Sequence, residues 1–257
     1  MLPQERQKLI EDYVNKNNIV MIDKLCSLTN ASIATVHRDI NFLASKKRLK
    51  KIHGGVQKIQ TESKNPLFNY SEIAARDEFF ETKNRNAQIA ASLVKPGEKI
   101  FLGAGLTSTL MSRYIKDIHD ISVVTTNINS VIELSDSTSV MLIGGDIYRG
   151  ASHIETISEL SAGLLNKLYF DKAFFTVDGA DIEYGYSIVK KFQLPLYSYL
   201  LNNSTETFLF LDDGKINKRA FLSVCGLNRI NNIIYAGDLP KAFEDYYKNE
   251  NIKIYNS

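Results

Sequence analysis

The chain has few cysteines and prolines and no tryptophan: two Cys, five Pro and no Trp in 257 residues. Cys26 and Cys225 stand about two hundred residues apart. A disulfide framework or a cysteine-rich metal site is therefore not expected, and a reducing cytoplasm is the default compartment. With five Pro and fourteen Gly, a collagen-like or linker-like bulk composition is excluded. No run approaches the ~18 apolar residues of a membrane span. Met1 to Arg6 lead into an amphipathic segment and not a secretory apolar region, so neither export nor membrane attachment is expected. What is present is an ordinary globular composition, 44% hydrophobic and 23% charged, with room for one or two domains.

The net charge of +2 hides an asymmetry. Residues 1–60 carry 11 basic and 5 acidic side chains, which makes them +6 and leaves the remainder at −4. Lys46, Lys47, Arg48, Lys50, Lys51 and Lys58 follow one another without an acidic residue between them. A short basic module on a mildly acidic body suits a head that binds a polyanion. A solvated charged surface would give the same charge count.

The first sixty residues read as three helices and a hairpin. Pro3 to Asn17 has Leu9, Ile10, Tyr13 and Val14 along one face. A short β-like run, Ile19–Met21, precedes a helix from Asp23 to Leu28, with Leu25 and Leu28 facing inward. Thr29-Asn30 is turn chemistry. Ser32 is an N-cap for a third helix running from Ile33 to Lys46. Leu49–Ile52 and Val56–Ile59 then flank His53-Gly54-Gly55 as a hairpin. The expected fold is a winged helix-turn-helix.

At ~100° per residue, Ile33, Val36, Ile40 and Leu43 fall in one sector of the third helix, the expected core face. The opposite sector holds Ala34, Arg38, Asn41 and Ser45, flanked by Thr35 and His37. Such a face fits a major groove, where arginine pairs with guanine and threonine reaches phosphate or a thymine methyl. Arg38 is the first candidate for DNA contact, followed by Ser32, Thr35 and His37. A surface ion pair is the competing role for Arg38. Lys50, Lys51 and His53 would supply phosphate contacts from the wing.

Residues 61–82 are polar and read as a linker. From residue 83 the pattern becomes strand–helix alternation, with apolar strands at Ile100–Leu102, Ser122–Thr126, Val140–Ile143, Ala173–Val177, Phe208–Leu211 and Ile233–Tyr235. The expected fold of 83–257 is α/β, Rossmann-like, with a mostly parallel sheet covered on both faces. Polar or glycine-rich turns follow five strands: Gly103–Ser108, Thr126-Asn127, Gly144-Gly145-Asp146, Asp178-Gly179 and Asp212–Lys215. In parallel sheets ligands bind at the carboxyl ends of strands. Glycines and free N–H groups at a helix start can cradle a phosphate. Lys215 offers a positive charge to it. Asp178 and Asp212 can accept sugar hydroxyls, or cap the segments that follow them.

The run from "QERQKLIEDYVNKNN" through "TVHRDI" to "KKIHGGV" resembles the DeoR family of bacterial transcription regulators. His37 stands where that family often has a second arginine, and Lys47 where glycine usually ends the helix. "TTN", "IGGD", "AFFTVDGAD…GYS" and "FLDDGK" look like the family's sugar-phosphate sensor domain, which is related in fold to ribose-phosphate isomerases and CoA transferases. The resemblance implies an effector pocket of Gly105, Thr107, Asn127, Gly144, Gly145, Asp178 and Lys215. It departs at Gly103 or Ala104, where an acid is usual, and at Leu106, where threonine is usual. It departs again at 191–197, where Glu and Lys are usual and Pro195 is expected to disturb a helix start.

The resemblance implies a sequence-specific regulator, a repressor of carbohydrate genes. Its expected partners are a double-stranded operator, a phosphorylated sugar and further copies of itself as a homodimer or homotetramer, with no cofactor. Two other classes stay open: a sugar-phosphate-converting enzyme of isomerase-like fold, and an effector-independent DNA-binding protein. No metal cluster, HExxH or Ser-His-Asp spacing is visible, and His119 and His153 read as surface or structural.

Overall fold

The computed structural model describes residues 2–17, 19–46, 48–52, 54–58, 69–134, 138–158, 165 and 167–256. Two compact units divide the chain, Met1–Glu62 and Ser63–Ser257.

The first unit has helices α1 (Pro3–Asn17), α2 (Ile22–Thr29) and α3 (Ile33–Ser45) and strands β1 (Ile19–Met21), β2 (Leu49–Ile52) and β3 (Gly55–Lys58). The strands form one antiparallel sheet in the order β1-β3-β2. Asn30 takes a left-handed conformation that ends α2, its N–H donating to the Cys26 carbonyl. Ile10, Val14, Val20, Leu25, Val36, Ile40, Leu43, Leu49 and Val56 build the core. Gly55 is required by β1–β3 packing, since a Cβ there would lie 2.6 Å from the Val20 carbonyl oxygen.

One core assignment needs correction. Ile33 is 56% exposed and does not join the core. It is the first residue of α3, so the arithmetic that aligns it with Val36 and Ile40 carries it past the end of the packed face.

In the second unit α4 (Tyr70–Arg76) and α5 (Phe80–Ser92) precede a seven-stranded sheet. The stretch expected as linker is thus helical from residue 70, where Asn69 caps α4 by accepting from the Glu72 N–H at 3.3 Å. Residues 61–68 lie outside the described residues.

The sheet strands are β4 (Lys99–Leu102), β5 (Ser122–Thr125), β6 (Ser139–Leu142), β9 (Phe170–Thr176), β12 (Ser204–Phe210), β14 (Asn232–Ile234) and β15 (Lys253–Tyr255). Their order is β15-β14-β12-β9-β4-β5-β6, and every pairing is parallel. Side chains alternate between two cores. Phe101, Phe175 and Leu209 face one, with the helices Leu194–Asn203 and Lys241–Asn249. Ile100, Leu102, Phe174, Phe208 and Phe210 face the other, with α5 and α6 (Leu106–Ile115). The inner strands are therefore buried on both sides, which explains why they read as near-continuous apolar runs, while the edge strand β6 is mostly exposed. Phe174 and Phe208 stack at 4.8 Å between ring centres across neighbouring strands.

Two smaller sheets flank it. A hairpin joins β7 (Asp146–Arg149) to β8 (Ile154–Ile157). A second small sheet has the order β10-β11-β13, from Gly179–Asp181, Gly185–Ile188 and Leu222–Cys225. Pro195 does not disturb the helix after it, contrary to expectation. It sits in the first turn of Leu194–Asn203, where no N–H is needed. Among the described residues no helix is long and apolar enough to cross a membrane.

Candidate functional site

In the first unit α3 starts on a cap made by its own residues. The Ser32 hydroxyl accepts from the Thr35 N–H at 3.3 Å and lies 2.9 Å from the Thr35 hydroxyl. Both side chains therefore shape the helix start first and face a ligand second. His37 and Arg38 are exposed. Among the described residues the Arg38 guanidinium makes no ion pair, so the competing role for it is not realised there. Its neighbour Asp39 is buried instead, bound by Arg6 at 2.6 Å and by the Gln7 amide at 2.9 Å. This contact ties α1 to α3 and was not read from the sequence.

Lys50 and Lys51 are exposed on β2, and Lys51 donates to the Asn41 side chain at 2.7 Å. That bond links the wing to the outward face of α3. Arg48 is a different case, because Glu11 holds it in a two-pronged pair. The hydrogen bond that Arg48 donates to Glu11 raises the Arg48 pKa, and one of the six clustered cations is thereby already paired. His53 lies outside the described residues. Ile33 adds an exposed apolar group at the start of α3, a shape that suits a thymine methyl.

In the second unit the chain runs outward in one direction through β4, β5 and β6 and in the other through β9, β12, β14 and β15. The reversal falls between β4 and β9, and such a switch point opens a crevice at the carboxyl ends of its strands. Gly103 fits there because a Cβ would lie 3.1 Å from Phe175 Cβ and 3.2 Å from the Phe174 oxygen. Gly105 has φ of +107° and directly precedes α6.

Asn127 fixes that loop. Its amide donates to the Gly105 carbonyl at 3.1 Å and to the Thr109 hydroxyl at 3.0 Å, and its oxygen accepts from the Asn129 N–H at 3.0 Å. Fully buried and fully engaged, Asn127 positions the glycine loop and has no N–H left for a ligand. Thr107 is almost buried at the start of α6, and beside it the buried Ser108 hydroxyl has no hydrogen-bond partner among the described residues. Gly144 and Gly145 are exposed, and a Cβ at Gly144 would meet nothing within 4 Å.

Across the crevice the exposed Asp178 accepts from the Val189 N–H at 2.8 Å. Lys215 is 19% exposed, with its ammonium 4.0 Å from Asp212. Burial lowers the Lys215 pKa, against the opposing pull of Asp212 and Asp178. Lys83 and Asp77 also act on it. These two form a tight pair at 2.6 Å beneath the turn of Phe79, whose ring lies against the position of Gly214. Lys215 is thus a partly desolvated cation at the crevice, where a bound anion would strengthen its charged form.

A second cluster was missed. Glu155 on β8 is buried and bound by Lys190, by the Gln193 amide at 3.2 Å and, at 3.6 Å, by His153. Tyr148 stacks on Phe192 at 4.5 Å beside it. The hairpin is thereby latched to the segment after β11, which includes the stretch 191–197. Only the spacing of 35 residues separates the pair, and nothing in either local sequence signals it.

Burial alone would push the Glu155 carboxyl up, but hydrogen bonds from His153 and Lys190 outweigh it and hold the pKa below the ordinary 4.5. A carboxyl lowered on folding contributes stability above that ordinary value and loses it as pH falls through the folded value. The protection of the hairpin against hydrogen exchange, relative to the intrinsic rate at each pH, is therefore expected to fall below pH 4.5 in the native chain. In Glu155→Gln this acid step should be absent, and an unchanged profile would remove the latch assignment.

The comparisons with known proteins agree on both units. Residues 6–62 match the DeoR-like helix-turn-helix domain and residues 78–236 the DeoR C terminal sensor domain. The chain is 30% identical to the lactose phosphotransferase system repressor of Staphylococcus aureus, covering 99% of this chain and 98% of that protein. It is 28% identical to the HTH-type transcriptional regulator FruR of Bacillus subtilis, covering 99% of each. It is 26% identical to the HTH-type transcriptional regulator GolR of Listeria innocua, covering 99% and 98%. The winged head, the parallel sensor sheet and matches over nearly the whole length lead to one conclusion: the chain belongs to the DeoR family of helix-turn-helix transcriptional regulators.

Proposed function

We propose that the chain is a cytoplasmic repressor of carbohydrate genes whose operator binding responds to a phosphorylated sugar. The observation that carries this reading is Arg38, exposed and without an ion pair among the described residues, on a capped helix beside the lysines of the wing. Arg38, with Ser32, Thr35, His37 and Ile33 around it, reads the major groove. Lys50, Lys51 and His53 bind phosphates. A homodimer or homotetramer sets pairs of such helices about one helical turn apart on a near-palindrome. The name of the Staphylococcus relative, lactose phosphotransferase system repressor, supports the choice of sugar and of repression.

The effector binds at the switch-point crevice. Its phosphate meets the N–H groups of Gly105 and Thr107 and the Lys215 ammonium, while Asp178 and the open loop of Gly144 and Gly145 meet hydroxyls. Asn127 holds the loop in shape. The effector alters DNA binding only to the extent that it prefers one arrangement of the protein. The role is regulatory and not catalytic: Glu155 is already held in its ionised form by Lys190, which makes it a weak base.

The test is thermal unfolding with a panel of sugar phosphates. A saturating effector at a hundred times its Kd should stabilise the second unit by about 2.7 kcal/mol. Lys215→Ala should remove most of that shift, measured against the variant's own ligand-free midpoint. A shift retained in full by Lys215→Ala would overturn the assignment. Turnover of any sugar phosphate would replace regulation with catalysis.

A further inference from the structure

A cleft of about 660 Å³ opens between α4 with the turn after it and the tip of the β7–β8 hairpin. None of the seven residues assigned above to the crevice lines it. We propose that this cleft is a second small-molecule site, taking a hydroxylated ligand with one anionic group, a sugar phosphate or a sugar acid, seated on Arg149.

The volume is that of a small-molecule pocket. Arg149 lines it, exposed, and among the described residues its guanidinium has no hydrogen bond or ion pair. A planar guanidinium of this kind matches phosphate or carboxylate oxygens in pairs. The opposite wall carries Glu78, Asp77 paired with Lys83, and the Glu72–Arg76 ion pair at 2.6 Å. The exposed Glu78 carboxylate accepts hydrogen bonds from hydroxyls and disfavours a second anionic group beside it, which leaves Arg149 as the seat of the one anion. Ile73 and Phe79 supply apolar surface for the carbon skeleton.

The two walls differ in how firmly they are held. On the hairpin side the Gly150 N–H donates to the His153 carbonyl at 2.8 Å, and the Ile154 N–H donates to the Asn129 side chain at 2.8 Å. Arg149 is therefore presented from a fixed turn. On the other side α4 has no buried residue. It is secured through Tyr70, whose hydroxyl donates to Glu133 at 2.9 Å and whose ring lies 4.3 Å from the Arg113 guanidinium. A ligand bridging the walls adds contacts to a lightly packed helix, and α4 should gain protection from local opening.

Hydrogen exchange of the full chain tests this with four probes at about 10 mM: glucose 6-phosphate, gluconate, glucose and inorganic phosphate. Slowed exchange at 70–79 and 149–154 is expected with glucose 6-phosphate or with gluconate, and the two arms separate ester from acid. Glucose should give none. Arg149→Ala should weaken the protecting probe about tenfold, and Arg149→Lys less. Lys215→Ala should leave it unchanged, so that failure of the crevice reading is seen separately. Four results would overturn the proposal: no protection at these walls by either anionic sugar, equal protection by inorganic phosphate alone, protection that survives Arg149→Ala, or protection lost in Lys215→Ala.

Discussion

Replacing Asp39 by alanine is expected to unfold the DNA-binding unit while the sensor unit stays folded. Asp39 is 3% exposed and holds Arg6 and Gln7 across the α1–α3 contact. Removing one partner of a buried pair leaves the other uncompensated, at a cost of about 3–5 kcal/mol. A unit of this size has a small core and a stability of the same order. Exchange protection over α1 and α3 should therefore collapse, and operator binding with it, while the thermal transition of the sensor persists. Asp39→Asn keeps an acceptor for Gln7 and should fall between the two. Wild-type operator affinity in Asp39→Ala would show that the pair contributes little to the fold.

Arg38→Ala is expected to leave the fold intact and to reduce selectivity. Arg38 is exposed, so truncation creates no cavity and strands no partner. A well-placed arginine on a base edge discriminates by about 1–3 kcal/mol, or roughly tenfold to hundredfold. The ratio of operator affinity to random-duplex affinity at fixed salt should drop by that factor. Lys50→Ala should act differently: it should weaken both duplexes alike and shallow the salt dependence by about one phosphate contact. An unchanged ratio in Arg38→Ala would remove α3 as the reading element.

How much of this was legible in the sequence follows from where the information is local. The six strands of the sensor sheet read from apolar runs stand in the structure within a few residues; for the inner strands burial on both faces demands such runs, while β6 carries an apolar run although it is mostly exposed. The edge strand β15 was missed, since Lys253–Tyr255 is short and only half-buried. The β7–β8 hairpin was missed for a related reason: every residue of β7 is exposed, so no alternation marks it. The helical arithmetic that found the core face of α3 also misplaced Ile33, because periodicity carries no knowledge of where a packed surface ends.

The polar groups divide in the same way. The turns after the strands were legible because parallel strands align their carboxyl ends by topology alone. Their individual duties were not. Asn127 reads as a ligand residue by position, yet its side chain is engaged by the Gly105 carbonyl, the Thr109 hydroxyl and the Asn129 N–H. The pairs Arg6–Asp39, Asp77–Lys83 and Glu155–Lys190 depend on contacts that no local pattern encodes. Tyr197 likewise occupies the departing stretch 191–197 and donates to the Thr176 carbonyl at 2.5 Å, which anchors that stretch to the end of β9.

The full engagement of Asn127 has a consequence for how this sensor can change. The crevice separates into an inner frame, whose amides already answer one another, and an outer rim of Asp178, Gly144 and Gly145 open to water. On the assignment proposed above, substitutions on the rim would change which hydroxyls are met without disturbing the frame, whereas a substitution at Asn127 would release the glycine loop itself.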